Sequence, residues 1–193
     1  MNSIAVYCGS SPGAMPEYTH AAEELGEALA AREMTLVYGG GDVGLMGVIA
    51  NSVLKHGGSV IGVITDHLAD KELAHDSLSK LHVVGSMHER KALMAELADA
   101  FIAMPGGIGT LEEIAEVMVW TQLGLHSKAC GILNIAGYYD SLLKLFDNIV
   151  DQHFLAKDQL HSVAVSDNPD QLITSLKDIS VRYIDKWLGH QKT

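Results

Sequence analysis

The residues best suited to chemistry lie in the run Pro105-Gly106-Gly107-Ile108-Gly109-Thr110-Leu111-Glu112-Glu113. Gly106, Gly107 and Gly109 remove side chains just where a strand-to-helix turn would aim its backbone N–H groups at an anion. The dipole of the helix that follows adds to the attraction. The run therefore predicts a phosphate cradle, with Glu113 a short way into the helix. The same letters also fit a structural role, because Thr110-x-x-Glu113 is a capping box whose hydroxyl and carboxylate tie up N–H groups of a first helical turn. Glu113 can serve both purposes. Upstream, His88-Glu89-Arg90-Lys91 opens a further helix. Two adjacent cations at a helix N-terminus oppose the dipole and call for an anion nearby. The planar fork of Arg90 suits phosphate or carboxylate, whereas Lys91 reads equally as an anion ligand or as part of a solvated charged turn.

A second glycine run, Gly39-Gly40-Gly41-Asp42-Val43-Gly44, satisfies G-x-G-x-x-G, with Asp66 about 20 residues on as a possible ribose ligand. That fingerprint normally follows the first strand of a dinucleotide-binding unit, and this one follows the second. Its glycines would equally let a helix pack closely on a sheet, or wall a different nucleotide site. The 10 histidines and 2 cysteines show no HExxH, CxxC or comparable ligand spacing. No metal and no resident cofactor is expected.

Holding these loops in place requires a regular scaffold, and short apolar runs do alternate with longer amphipathic ones. Strands are expected at Ile4 to Tyr7, Leu36 to Tyr38, Val60 to Ile64, Leu81 to Val84, Ala100 to Met104, Gly131 to Leu133 and Ser162 to Val165. Helices are expected from Glu17 to Ala31, Leu45 to Lys55, about Arg90 to Asp99, near Thr110 onward, about Tyr138 to Gln152 and about Pro169 to Trp187. This alternation predicts a Rossmann-like, doubly wound α/β fold, a mainly parallel sheet with helices on both faces, as one domain over residues 1–193. The segment His67 to Lys80 reads as a polar loop. Ligands of such sheets sit outside the carboxyl ends of the strands. Three small-residue loops converge there: Gly9-Ser10-Ser11-Pro12-Gly13, the run from Gly39 through Gly40 and Gly41, and the run from Pro105.

With 48% hydrophobic residues in 193, the chain can bury a sizeable core without disulfides. Its net charge of −11 repels polyanions and argues against a nucleic-acid polymer or anionic membrane as partner. A small phosphorylated ligand is still compatible, since a local pocket of N–H groups and one or two cations suffices. No basic leader with an apolar core stands at the start, and no apolar stretch is long enough to span a bilayer. Cys8 and Cys130 suit a reducing compartment. Together these features predict a soluble, cytoplasmic protein.

At these residues the sequence resembles the LOG (Lonely Guy) family of cytokinin riboside 5′-monophosphate phosphoribohydrolases, often labelled "lysine decarboxylase family". The run from Pro105 to Glu113 fits the family's PGGxGTxxE, and Met87-His88-Glu89-Arg90-Lys91 fits its M-H-x-R-K. The likeness extends through Cys8-Gly9-Ser10-Ser11, Tyr38-Gly39-Gly40-Gly41, Trp120-Thr121-Gln122-Leu123-Gly124 and Gly137-Tyr138-Tyr139, over most of the chain. It implies substrate contacts at Glu72, Arg90, Lys91, the loop of Gly106, Gly107, Ile108, Gly109, Thr110, Leu111 and Glu112, and Glu113; the converging loops add Gly9, Ser10, Gly40 and Gly41 as further walls. It implies catalysis by Arg90 and Glu113, and assembly as a homodimer. The segment after Glu72, Leu73-Ala74-His75-Asp76-Ser77, departs from the Leu-Thr-Gly of plant members.

The implied reaction releases a purine base and ribose 5-phosphate from a nucleoside 5′-monophosphate. Positive charge builds on the ribose as the base leaves, so a fixed carboxylate near the anomeric carbon helps by its field and by orienting water. Glu113 is the candidate. Arg90 would hold the ligand or orient Glu113. Lysine decarboxylation would need pyridoxal phosphate and a lysine in a Schiff-base setting, and none is recognisable. A nicotinamide-dependent oxidoreductase, a non-catalytic nucleotide-binding module and a broader AMP nucleosidase are the other readings.

Overall fold

The computed structural model describes residues 1–69, 74–160, 162–179 and 181. Seven strands form one sheet: β1 (Ser3–Tyr7), β2 (Thr35–Tyr38), β3 (Val60–Thr65), β4 (Lys80–Val84), β5 (Ala100–Ala103), β6 (Cys130–Leu133) and β7 (Val163–Ser166). Their order is β4-β3-β2-β1-β5-β6-β7, and every neighbouring pair is parallel. The sheet is thus wholly rather than mainly parallel. Its strand order reverses between β1 and β5, which places the ligand-binding crevice of a doubly wound sheet beyond Tyr7 and Ala103.

The helices are α1 (Pro16–Ala30), α2 (Gly44–Lys55), α3 (Asp66–Ala69), α4 (Met87–Leu97), α5 (Ile108–Gln122), α6 (Asp140–Asp151), α7 (Lys157–Leu160) and α8 (Pro169–Asp178). They cover both faces, because strand side chains alternate. Ile4 and Val6 of β1 join one core with Leu25, Leu29, Ile49 and Leu172 from α1, α2 and α8. Ala5 and Tyr7 join the other with Met94, Ile114 and Val117 from α4 and α5. Burial on both sides is why the central strands read as continuous apolar runs.

Several boundaries differ from the sequence expectations. Helix α4 opens at Met87, three residues before Arg90, because Ser86 caps it: the Ser86 hydroxyl accepts from the Glu89 N–H at 3.2 Å. The Glu89 carboxylate in turn accepts from the Gly85 N–H at 2.9 Å. Helix α5 opens at Ile108 with Gly107 as its N-cap and no side chain closing it. Thr110 therefore sits inside the first turn, so Thr110 and Glu113 do not form the capping box. Helix α8 ends at Asp178, since Ile179 is already extended, and the rest of the expected run to Trp187 falls mostly outside the described residues. The polar segment after β3 contains the short helix α3. Among the described residues, no helix is long and apolar enough to cross a membrane.

Candidate active site

Three loops at the carboxyl edge lock together through backbone contacts. The Gly9 N–H donates to the Pro105 carbonyl at 3.1 Å, and the Leu45 N–H donates to the Gly9 carbonyl at 3.0 Å. A Cβ on Gly44, whose φ is +56°, would fall 2.3 Å from the Ser10 carbonyl carbon. One on Gly106 would fall 2.2 Å from the Thr110 hydroxyl oxygen. Gly107 and Gly109 differ, because nothing lies within 4 Å of their Cβ positions. There the glycines keep the α5 N-terminus bare. Its first-turn N–H groups have no intrahelical acceptor and no side-chain cap, so they and the dipole are available to an anion.

That terminus forms one wall of a cleft of about 240 Å3. Gly9, Ser10, Gly107, Gly109, Thr110, Glu112 and Glu113 line it, with Arg90 at its floor and Met46, Leu68, Met87 and Met94 on the apolar side. A second compartment of about 220 Å3 shares Gly9, Ser10 and Gly107 and is bounded by Gly106, Tyr18 and Tyr138.

Arg90 is only 6% exposed, and its guanidinium is held from three sides. Nε donates to the Val63 carbonyl at 3.0 Å and Nη2 to the Gly39 carbonyl at 3.3 Å, both near the carboxyl ends of strands. Nη1 donates to Glu113 Oε1 at 3.4 Å, an ion pair with both side chains nearly buried. Two fixed carbonyls and one carboxylate occupy the planar fork, so its geometry positions Glu113. Here the glycine fingerprint finds its reason. A Cβ on Gly39 would stand 2.2 Å from Arg90 Nη2. Gly44 is required by its approach to Ser10, and Gly41 pairs with Ala74 in an isolated bridge. Packing around Arg90 and Ser10, with no pyrophosphate invoked, accounts for this part of the pattern.

Lys91 is buried beside Arg90 but faces α5, where Nζ donates to Glu112 Oε1 and to Glu116 Oε1, the latter at 3.1 Å. Its hydrogen bond to Glu112 chiefly raises its pKa, with burial opposing and Glu116 adding. The carboxylates of α5 are thus the anions that the Arg90-Lys91 pair requires. Lys91, Gly40, Gly41, Ile108 and Leu111 do not line the cleft; Ile108 points to solvent, and the Gly40 carbonyl accepts from the His75 N–H at 3.1 Å. Glu72 lies outside the described residues.

Sequence reasoning missed Tyr7, Met46, Leu68, Met87 and Met94 as cleft walls, and also His75. Burial, then the nearby Glu113, pushes the Tyr7 phenol well above its ordinary range, so it stays a neutral donor beside the cleft. His75 is buried, its Nδ1 accepting from the Ser77 N–H at 3.2 Å and its Nε2 3.2 Å from Asn51 Oδ1. Its position in the segment that departs from the plant pattern was the available signal.

Fold and site together define a doubly wound α/β protein with an anion-receptive helix terminus facing a buried guanidinium–carboxylate pair. The family model described as "possible lysine decarboxylase" matches residues 46–176. The probable cytokinin riboside 5′-monophosphate phosphoribohydrolase LOGL6 of Oryza sativa subsp. japonica is 46% identical over 180 residues, covering 93% of this chain and 72% of that protein. Cytokinin riboside 5′-monophosphate phosphoribohydrolase LOG1 of Arabidopsis thaliana is 45% identical over 180 residues, covering 93% and 84%. The chain belongs to this LOG family. Among solved structures, the molybdenum cofactor carrier protein of Chlamydomonas reinhardtii shares the fold, with a TM-score of 0.68 at 20% identity over 91% of this chain and 96% of that one.

Proposed function

We propose that the cleft hydrolyses the N-glycosidic bond of a cytokinin riboside 5′-monophosphate or AMP, giving the free base and ribose 5-phosphate. The observation that carries this reading is the Glu113 carboxylate, held by buried Arg90 at 3.4 Å in the same cleft as the uncapped α5 terminus. The phosphate sits on the N–H groups from Gly107 to Thr110, and its binding energy places the anomeric carbon against Glu113. As the base departs, the fixed carboxylate stabilises the positive charge on the ribose and orients the attacking water. Arg90 positions that carboxylate, and the neutral Tyr7 hydroxyl adds a donor nearby. Glycine and serine at positions 9 and 10 let the ligand approach the sheet edge. Glu112 is a cleft wall whose charge Lys91 offsets.

Decarboxylation of lysine fits poorly. Lys91, the lysine beside the cleft, is kept protonated by two carboxylates, the opposite of what a Schiff-base nucleophile needs. The deciding experiment is chromatography of AMP and N6-isopentenyladenosine monophosphate after incubation with the purified protein. Release of free base from either supports the hydrolase; bound but uncleaved nucleotide would make the protein a binding module. The reading includes a cytoplasmic homodimer docked through the C-terminal end of α5, where Val119 projects from the helix and Leu123 and Leu125 from the segment just after it. A monomer mass by light scattering at micromolar concentration would remove the dimer.

A further inference from the structure

We infer that the Tyr138 hydroxyl is a positioning group for the anion cradle, setting the direction in which the Gly107 N–H points. The inference rests on the phosphate reading above and concerns a residue to which that reading gives no role.

The loop that joins β5 to α5 is braced by donors outside itself. Tyr139 donates its hydroxyl to the Met104 carbonyl at 2.6 Å, the Gly9 N–H donates to the Pro105 carbonyl at 3.1 Å, and Tyr138 donates its hydroxyl to the Gly106 carbonyl at 2.5 Å. Three consecutive carbonyls are therefore fixed. In a trans peptide the C=O of one residue and the N–H of the next point in opposite directions. Fixing the Gly106 carbonyl toward Tyr138 turns the Gly107 N–H away from it, and Gly107 lines the cleft that holds Arg90 and Glu113. Glycines on both sides of that peptide have little steric bias of their own. The orientation must come from outside, and Tyr138 supplies it.

The turn that presents the two tyrosines is itself held with care. Ala136 and Gly137 both have positive φ, +51° and +71°. A non-glycine residue keeps such a conformation only where its surroundings enforce it. Asn134 does so: its Oδ1 accepts from the Tyr139 N–H at 2.7 Å, its Nδ2 donates to Asp140 Oδ1 at 2.8 Å, and its own N–H donates to the Ser166 carbonyl at 2.8 Å. The Tyr138 ring stands edge-on to Tyr139 and Tyr18, with centroids 4.9 and 5.7 Å away. These contacts fix the ring whether or not it carries a hydroxyl, which allows a clean test.

Tyr138→Phe keeps the ring and deletes the donor. The expected result is about a tenfold rise in the dissociation constants for AMP and for ribose 5-phosphate measured by calorimetry, a difference of ~1.4 kcal/mol. Adenosine affinity and melting temperature should stay at wild-type values, which separates positioning of the cradle from a general loosening of the fold. Hydrolysis of AMP should show the change in KM, with kcat at saturation within about threefold. Equal affinity for ribose 5-phosphate in wild type and Tyr138→Phe overturns the inference, as does a parallel loss of adenosine binding. Wild-type protein that binds AMP without releasing adenine would sink the hydrolase reading alone, since the affinity ratio still decides the role of Tyr138. Wild-type protein that binds neither phosphorylated ligand would overturn both.

Discussion

Glu113→Gln separates the charge of the site from its shape. Glutamine retains an oxygen that can accept from Arg90 Nη1, and the guanidinium keeps the carbonyls of Val63 and Gly39. Breaking a buried ion pair outright costs roughly 3–5 kcal/mol. With two of three acceptors unchanged and the third neutral rather than absent, about 1–2 kcal/mol is the expected loss. In a chain of this size that lowers the melting temperature by roughly 2–8 °C. Against a typical stability of about 5–15 kcal/mol, the variant stays folded at 25 °C, so its turnover reports chemistry. Loss of a carboxylate that stabilises the ribosyl cation or orients water should cut kcat by about 10²–10⁴. Adenine release followed by chromatography at saturating AMP, beside a thermal melt, measures both quantities. A kcat within fivefold of wild type would refute the reasoning and shift attention to Glu112 or Glu116, the neighbouring carboxylates of α5.

Three further substitutions probe the supports. Gly39→Ala places a methyl group 2.2 Å from Arg90 Nη2, so kcat/KM for AMP should fall at least about tenfold with ~1–3 kcal/mol of overpacking cost; unchanged kcat/KM would mean Arg90 has no need of its seat. Lys91→Met leaves Glu112 and Glu116 without their shared cation. Because Lys91 has a raised pKa in the folded state, its contribution is fully present below the unfolded lysine pKa of about 10.4 and is lost as pH rises through the folded value. Urea melts should show the wild-type advantage at pH 8 and its shrinkage toward alkaline pH, and a pH-independent difference would contradict the pairing. Asp99 accepts from the Asn2 N–H at 2.6 Å and the Ser3 N–H at 3.2 Å, anchoring the start of β1, and chiefly the Asn2 bond lowers its pKa. Asp99→Asn should cost about 1 kcal/mol near neutrality, allowing for solvent screening, a loss present above the unfolded pKa of about 3.9 that vanishes as pH falls through the folded value; denaturation at pH 7 and pH 2 tests it.

The fold was legible because both faces of the central sheet are covered, which writes each central strand as an apolar run, and because helices such as α6 and α8 carry one apolar stripe. The helix starts were less so. Ser86 and Gly107 set them, and Gly107 competes on paper with Thr110 three residues later. Gly107, Gly109, Arg90 and Glu113, which line one cleft, drew attention because their types are unusual where they stand. Tyr7 and the methionines that complete the cleft were not, since an apolar residue at a strand end or on a buried helix face looks the same whether it meets core or cavity. His75 escaped for a related reason: its partner Asn51 lies 24 residues away on α2 and meets it only through the fold, whereas Ser77 is a local contact.

The two glycine runs show how one residue type answers two different physical demands. Gly39 is obligatory because a guanidinium fills the volume its side chain would take, whereas Gly107 and Gly109 border open space and leave N–H groups uncovered. A pattern match treats both as phosphate loops. The distinction lies in what a Cβ would meet: protein atoms at Gly39 and again at Gly106, open space at Gly107 and Gly109. It follows that alanine at position 39 should be harmful with or without substrate, through Arg90, while alanine at position 109 should fold normally and lose affinity for the phosphate alone. Comparing the two variants by melting temperature and by calorimetry with ribose 5-phosphate would expose a wrong assignment at once, since a Gly109→Ala protein that is unstable, or that binds ribose 5-phosphate as wild type does, cannot have its glycine facing the ligand.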